Sequence, residues 1–210
     1  MRFFSYILAV LFLFAFRNVE AQNMEFGVSC GVGISKPHDF NTFVPLKIGG
    51  YAKFEFPSGI FLSTGAGLAR KGWNCDVYSL GSGGQEKKDW VCNVYYINVP
   101  VAVGYGILVN EKFSLFMKGG PYLDVGVAGN SKIRGVDNIG PPAKSGNVFS
   151  DGLWRRVDWG FDFSLGTIIK RKIGLTCTYS LGLGDNPKGG WSLLSGKTNR
   201  AMYIELSYAL

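Results

Sequence analysis

Hydrophobic residues occupy every second position in eight separate stretches of the chain. In the first stretch, from Met24 to Ile34, the even positions are apolar or cysteine, and the odd positions hold only Glu, Gly and Ser. Neighbouring side chains of a strand point to opposite faces, so this pattern predicts a strand with one apolar face and one small or polar face. The alternation recurs over residues 46–56, 60–70, 91–107, 113–127, 157–169, 173–183 and 201–210.

The connections between these stretches alternate strictly between short and long. The short ones are Pro57–Gly59, Leu108–Lys112 and Lys170–Lys172, and the long ones lie near residues 36–44, 72–89, 129–153 and 185–198. A membrane barrel has short periplasmic turns and longer outer loops, and its strands begin and end on the periplasmic side. The sequence therefore predicts an all-β fold, an eight-stranded antiparallel up-and-down transmembrane β-barrel.

The first residues have the composition of a cleaved export signal. Arg2 is followed by an apolar run from Tyr6 to Phe16, and Val19 and Ala21 stand where signal peptidase reads small or apolar side chains. The run is shorter than the roughly 20 residues that a membrane-spanning helix needs. We therefore expect a signal peptide at residues 1–21 and one barrel domain at residues 22–210, located in the cell outer membrane.

A soluble lipocalin-like barrel is the alternative architecture, but it would have an apolar interior and a polar outer face. Here the face opposite the apolar one carries glycine, serine and a set of charged residues: Glu25, Lys47, Lys53, Glu55, Lys118, Asp124, Asp158, Asp162 and Glu205. An isolated buried charge is costly, so acids and bases are expected to pair inside a filled polar interior. The pattern favours the membrane barrel over the soluble one.

Several short segments carry a family resemblance. The stretch from Tyr203 to Leu210 resembles the terminal strand of outer-membrane proteins, although it ends in Leu rather than an aromatic residue. The segments Tyr96–Pro100, Gly119–Tyr122 and Asp158–Asp162 resemble the PorT-type outer-membrane β-barrel domain of Bacteroidetes. The resemblance implies the barrel fold and the outer membrane. PorT itself is associated with type IX secretion, but a shared fold does not imply a shared function.

Two prolines, Pro100 and Pro121, interrupt the strand pattern. Proline has no backbone N–H to donate to a ladder, so inside a sheet it usually marks a bulge or a strand end. We expect a β-bulge at each.

Cys75 and Cys92 both lie at the base of the second long connection. The export route is oxidising, so we expect a disulfide between them, worth about 3 kcal/mol in the loop-entropy model; two free thiols are the alternative. Cys30 and Cys177 lie in apolar, outward-facing rows and are expected to act as small hydrophobic residues. The four cysteines lack zinc spacing, and neither a metal nor a cofactor is predicted.

The chain is basic, with 22 Lys and Arg against 15 Asp and Glu. Acids and bases balance within the strands and short turns, so the excess falls in the long connections and at their bases. Arg binds phosphate in a bidentate manner, and lipid A phosphates lie where the strands should leave the outer leaflet. We therefore predict a lipopolysaccharide-facing rim, with a solvated loop surface as the alternative. Its members are Arg70, Lys71, Arg155, Arg156 and Arg200.

Function is predicted only as a class. The leading interpretation is a non-enzymatic barrel with a structural, surface-interaction or envelope- and secretion-accessory role, whose partners are outer-membrane lipid, lipopolysaccharide and other envelope proteins. A lipid A-modifying enzyme is the alternative, in which His38, the sole histidine, would work with Ser35 and Asp39. A soluble ligand-binding barrel is a third reading. Nucleic-acid binding has no support in an exported chain without a basic recognition motif.

Overall fold

The structure, a computed structural model, describes residues 23–35, 41–81, 84–134, 148–149, 155–184 and 200–210. For residues 23, 75–81, 84–90 and 131–134 it describes the backbone only. In these ranges no helix is long and apolar enough to cross a bilayer.

Eight antiparallel strands follow one another around a closed barrel, and each pairs with its neighbours in the chain. They are β1 (Asn23–Ser35), β2 (Leu46–Glu55), β3 (Ile60–Gly81), β4 (Gly84–Asn110), β5 (Phe113–Arg134), β6 (Val157–Ile169), β7 (Ile173–Gly182) and β8 (Arg200–Ala209). The barrel closes where β1 pairs with β8, from Gly27 opposite Ala209 to Ser35 opposite Ala201. Closure leaves the wall of the barrel without an unpaired edge. The fold expected from the alternating pattern is confirmed.

The outer face of the barrel is an apolar belt that includes residues from every strand. Phe26, Ile48, Leu68, Leu165 and Ile204 are each more than half exposed on it. The opposite face of the same strands turns glycines, polar side chains and some aromatic rings, such as Phe61 and Tyr203, into the lumen. This is the reverse of a soluble barrel, and it suits a wall surrounded by lipid.

The turn between β6 and β7 has an unusual backbone. The N–H of Lys172 donates to the carbonyl of Ile169 at 3.1 Å, which makes Lys170 and Arg171 the two central residues of a tight turn. Their φ angles are 52° and 59°. Positive φ at both central positions belongs to the type I′ hairpin turn, which normally takes Asn-Gly, so two long side chains stand here in a strained conformation.

The bulges expected at the two prolines are absent, and that expectation is wrong. Pro100 lies opposite Tyr122 and Pro121 opposite Phe161, and the register is the same on both sides of each. The carbonyl of Pro100 instead accepts a hydrogen bond from the Thr64 hydroxyl at 3.1 Å. Each proline therefore removes one backbone hydrogen-bond donor from the ladder, but neither adds the extra residue of a bulge. The β4–β5 register shifts elsewhere, between Tyr95 and Tyr96 and between Leu108 and Asn110.

Three strands are much longer than the alternation predicted. The pairing of β2 with β3 ends at Leu46 opposite Arg70, and that of β5 with β6 ends at Val125 opposite Val157. Beyond this level the β3–β4 ladder continues to Gly81 opposite Gly84. Residues 72–89, expected as a loop, are therefore mostly a hairpin, and β5 lies against it.

Candidate functional site

An ion cluster crosses the lumen at the level where the barrel opens to the long connections. Asp124 of β5 and Asp158 of β6 are directly opposite each other in the ladder, so their carboxylates lie side by side. Both are fully buried. Two such charges repel, and Lys71 of β3 reaches across the lumen to both, with its Nζ 2.5 Å from Asp124 Oδ2 and 3.0 Å from Asp158 Oδ2.

Neutral side chains complete this cluster. Asn98 Nδ2 donates to Asp124 Oδ1 at 2.5 Å, and Lys71 Nζ donates to the Tyr122 hydroxyl at 3.5 Å. The same ammonium group lies 4.6 Å from the centroid of the Tyr122 ring. Charged groups in a low-dielectric interior need such partners, because each unpaired one would be costly. Asp158 Oδ1 is the oxygen of the two carboxylates that has neither a hydrogen bond nor an ion-pair contact among the described residues. The cluster therefore joins β3, β4, β5 and β6 through the lumen.

A second ion pair lies deeper in the barrel. Lys47 of β2 places its Nζ 3.3 Å from Asp162 Oδ2 of β6, and the Ser180 hydroxyl donates to the other oxygen of that carboxylate. The ring of Tyr203 lies under the same ammonium group, 4.3 Å from Nζ to the ring centroid. Tyr203 is fully buried, and its hydroxyl has no hydrogen-bond partner among the described residues.

The outer mouth of the lumen is filled by an apolar cluster. It comprises Ala69, Trp73, Cys92, Val94, Tyr96, Val148 and Phe149. Phe149, from the third long connection, meets the Tyr96 ring edge-on with centroids 6.1 Å apart. It also lies so close to Gly126 that a Cβ there would overlap its ring. Above the ion cluster, therefore, apolar side chains separate the lumen from the outside.

Among the described residues, no group of three or more His, Cys, Asp or Glu could hold a metal ion. His38 and Asp39, on which the enzymatic alternative depends, lie outside the described residues. Ser35 is described and buried, and its hydroxyl donates to the Arg200 carbonyl at 3.0 Å.

The predicted rim is only partly at the surface. The placement of Lys71 there is wrong, because its side chain points into the lumen and is only 5% exposed. Arg70 is half-buried and donates from Nη2 to the Val44 carbonyl at 2.9 Å. Arg155, Arg156 and Arg200 are exposed at the same end of the barrel. The alternation along β3 predicts the luminal position of Lys71, because odd-numbered residues of that strand, such as Ser63, face the lumen.

The disulfide between Cys75 and Cys92 stays a prediction. Along the backbone Cys92 lies opposite Trp73, and Cys75 lies opposite Trp90, two residues further along the same ladder. The side chain of Cys75 lies outside the described part of the chain. Cys30 and Cys177 are exposed free thiols, on strands separated by β8.

Residues 16–187 match the family described as the outer membrane protein beta-barrel domain. No curated protein matches the sequence. Among solved structures, the attachment invasion locus protein Ail of Yersinia pestis is 12% identical with a TM-score of 0.45, covering 89% of this chain and 97% of that one. Neisserial surface protein A is 8% identical with a TM-score of 0.48 (88% and 96% covered). OprG of Pseudomonas aeruginosa is 12% identical with a TM-score of 0.43 (89% and 94% covered). At these identities the likeness concerns the fold alone.

Proposed function

The chain belongs to the outer membrane protein beta-barrel domain family, and on that basis we propose that it is a non-enzymatic surface-interaction protein. In this proposal, residues 1–21 direct export, residues 22–210 form the barrel, and the extended part of β3, β4 and β5 contacts a partner outside the lipid. If the partner is another envelope protein, the chain has an accessory role in an envelope or secretion complex.

The observation that carries the proposal is the sheet that continues beyond the barrel wall. From residue 71 to Gly81, β3 no longer pairs with β2 as part of the wall, but it remains paired with β4. At about 3.3 Å per residue, this extension runs roughly 35 Å along the strand. A rigid sheet of that length presents a pre-ordered surface, which lowers the entropy cost of binding a partner.

The lumen supports a binding role rather than bulk transport. Eight strands enclose an interior about as wide as the side chains that fill it. Here the Lys71 cluster and the apolar mouth, including Phe149, occupy the outer half among the described residues. Any interaction at the cell surface would then involve the parts of the chain that lie outside the lipid.

The arginine rim, without Lys71, belongs to the same proposal. Arg155, Arg156 and Arg200 are exposed, and Arg70 lies on the outer face of β3. Guanidinium groups at this height match the phosphates of lipopolysaccharide in geometry and charge. Charge reversal of Arg155 and Arg156 is expected to weaken association of the purified barrel with lipopolysaccharide. Unchanged association would remove the rim from the proposal.

The decisive experiment shortens the hairpin and leaves the barrel intact. Replacing residues 76–89 by Asn-Gly joins Cys75 to Trp90, which already lie opposite each other. The matched control replaces residues 185–198, an equal length of chain from the fourth long connection, by the same two residues. The native mass of each variant, extracted in mild detergent, is compared with its heat-modifiable gel mobility.

We expect the wild type and the control to migrate in a complex larger than the barrel, and the hairpin-shortened variant to migrate as a heat-modifiable monomer. A wild-type mass equal to that of one barrel would contradict the partner-binding role. Lipid A from producing cells is analysed by mass spectrometry alongside. An acyl change that depends on His38 would contradict the non-enzymatic role.

A further inference from the structure

The half of the lumen on the side of the short turns contains a cavity of about 140 Å³. Lys47 and Asp162 border it toward the outer mouth, and Lys172 and Ala209 border it at the turn end. Short turns lie on the periplasmic side in this class of barrel. The cavity therefore faces the periplasm, and the Lys71 cluster separates it from the outside.

Lys118 of β5 differs in its ion pairing from other lysines that line this cavity. Its side chain is partly exposed to the cavity, and no carboxylate of the described residues lies within 4.0 Å of its Nζ. Of the other lysines that line the cavity, Lys47 is paired with Asp162 and Lys53 with Glu55, and Lys172 lies at the turn end. A cation held inside a barrel without a carboxylate in direct contact is only partly compensated, and an anion in the cavity would relieve the remaining cost.

The charges around Lys118 define what could bind. Glu205 and Asp162 are the acids that face it, and Lys47 and Lys53 are the neighbouring cations. Asp162 is already engaged by Lys47 and Ser180. Ser63 and Thr176 add hydroxyl groups to the cavity wall. The site thus offers a cation and hydroxyl donors, while Glu205 and Glu25, which also line the cavity, limit the negative charge it can accept.

The periplasmic end of the barrel is also cationic. Lys112, on the turn between β4 and β5, accepts a backbone hydrogen bond at 2.6 Å from Lys170, on the next short turn. Lys170, Arg171 and Lys172 are consecutive and exposed, and Glu111 directly precedes Lys112 in the chain. A cluster of like charges at the opening of a low-dielectric cavity raises the local concentration of oppositely charged ligands.

We propose that the periplasmic half of the lumen is a binding site for a small oxyanion, a carboxylate or phosphate group, with Lys118 as its counter-charge. Lys118 contacts the anion, and the basic turns at the opening attract it. This proposal is independent of the hairpin and of any partner outside the cell.

The test uses inorganic phosphate and the full barrel, purified in a neutral detergent. Calorimetric titration and the urea unfolding midpoint are measured at constant ionic strength, balanced with chloride. A ligand that binds only the folded state raises the midpoint in a saturable way. We expect saturable phosphate binding by the wild type, and at least about tenfold weaker binding by Lys118→Gln.

Two further variants sharpen the result. Glu205→Gln removes the competing negative charge and is expected to bind phosphate more tightly than the wild type. Lys188→Gln, a change of the same kind in the fourth long connection, is the matched control and is expected to retain the wild-type affinity within about threefold. Heat-modifiable mobility confirms that each variant forms a barrel.

The same comparison in phosphatidylcholine vesicles, with and without phosphatidylglycerol, identifies the source of the anion. A difference between wild type and Lys118→Gln that appears with free phosphate supports a soluble anion. A difference that appears only with phosphatidylglycerol supports the oxyanion site and assigns it to a lipid headgroup. Equal behaviour of the two proteins under both conditions would overturn the proposal, including an equal rise of both midpoints from general salt effects.

Discussion

Lys71→Met removes the ammonium group that lies between two fully buried carboxylates. Asp124 and Asp158 would remain side by side, with their charges facing each other and the Lys71 contacts at 2.5 and 3.0 Å lost. Removing one partner of a buried ion pair costs about 3–5 kcal/mol, because the remaining charge is desolvated and uncompensated. Here two such charges remain, so we expect destabilisation at the upper end of that range.

That cost is a large share of the total stability of a domain, which is typically about 5–15 kcal/mol. The variant is therefore expected to unfold at clearly lower urea concentration in lipid vesicles, followed by tryptophan fluorescence and by loss of heat-modifiable mobility. Lys112→Met, an exposed change of the same kind on a short turn, is the control and should leave the midpoint unchanged.

The triple variant Lys71→Met, Asp124→Asn, Asp158→Asn separates charge from packing. It removes all three charges and keeps an amide oxygen at position 124 that can accept from Asn98. Replacing a whole buried ion cluster by neutral residues is often neutral or stabilising, so its stability should return to within about 1 kcal/mol of the wild type. If the single variant unfolds like the wild type, or the triple variant is as unstable as the single one, this electrostatic account is wrong.

Three further predictions concern other parts of the barrel. Lys170→Asn with Arg171→Gly supplies the residues that positive φ at both positions favours, and is expected to stabilise the barrel by about 1 kcal/mol in urea unfolding; a lower midpoint would show that the turn is not strained. Tyr203→Phe removes a buried hydroxyl that has no partner among the described residues, so the free energy of unfolding should stay the same or rise. Tyr122→Phe removes a contact with Lys71 and should lower the free energy of unfolding by about 1 kcal/mol. The reverse order of the two variants in urea unfolding would contradict the geometry. If Cys75 and Cys92 are bridged, denatured and unreduced protein will show two reactive thiols of its four cysteines, and four reactive thiols would exclude the bridge.

The fold was predictable because lipid imposes a strict pattern on the wall. Each wall residue faces either hydrocarbon or a crowded lumen. The alternation therefore predicts where the strands lie and which of their residues face the lumen, as in β6. Beyond Arg70 neither face of the sheet needs to be apolar, and the signal fades although the strands continue. For that reason the sequence predicts a loop where the hairpin lies, and it places Lys71, one residue past the predicted strand end, in the rim.

The sequence predicts which residues face the lumen, but not which of them contact each other. Alternation indicates that Lys47 and Asp162 face the lumen, but their pairing depends on which residues the closed barrel places opposite each other. The same holds for Lys118, whose lack of an ion-pair partner among the described residues follows from the three-dimensional positions of acids on other strands. The proline expectation failed for a related reason, because a missing donor at Pro100 is a local loss that the long ladders on both sides tolerate.

The seam between β1 and β8 affects how the protein is made and removed. The first and last strands of the barrel must find each other across the whole sequence, and such non-local pairing is slow. Until they meet, any partial sheet would present two rows of unsatisfied peptide groups to hydrocarbon, at a cost of several kcal/mol per group. Completion is therefore nearly all-or-none, and reopening the finished cylinder meets the same barrier in reverse. A closed barrel of this kind is therefore expected to be kinetically stable once it has assembled.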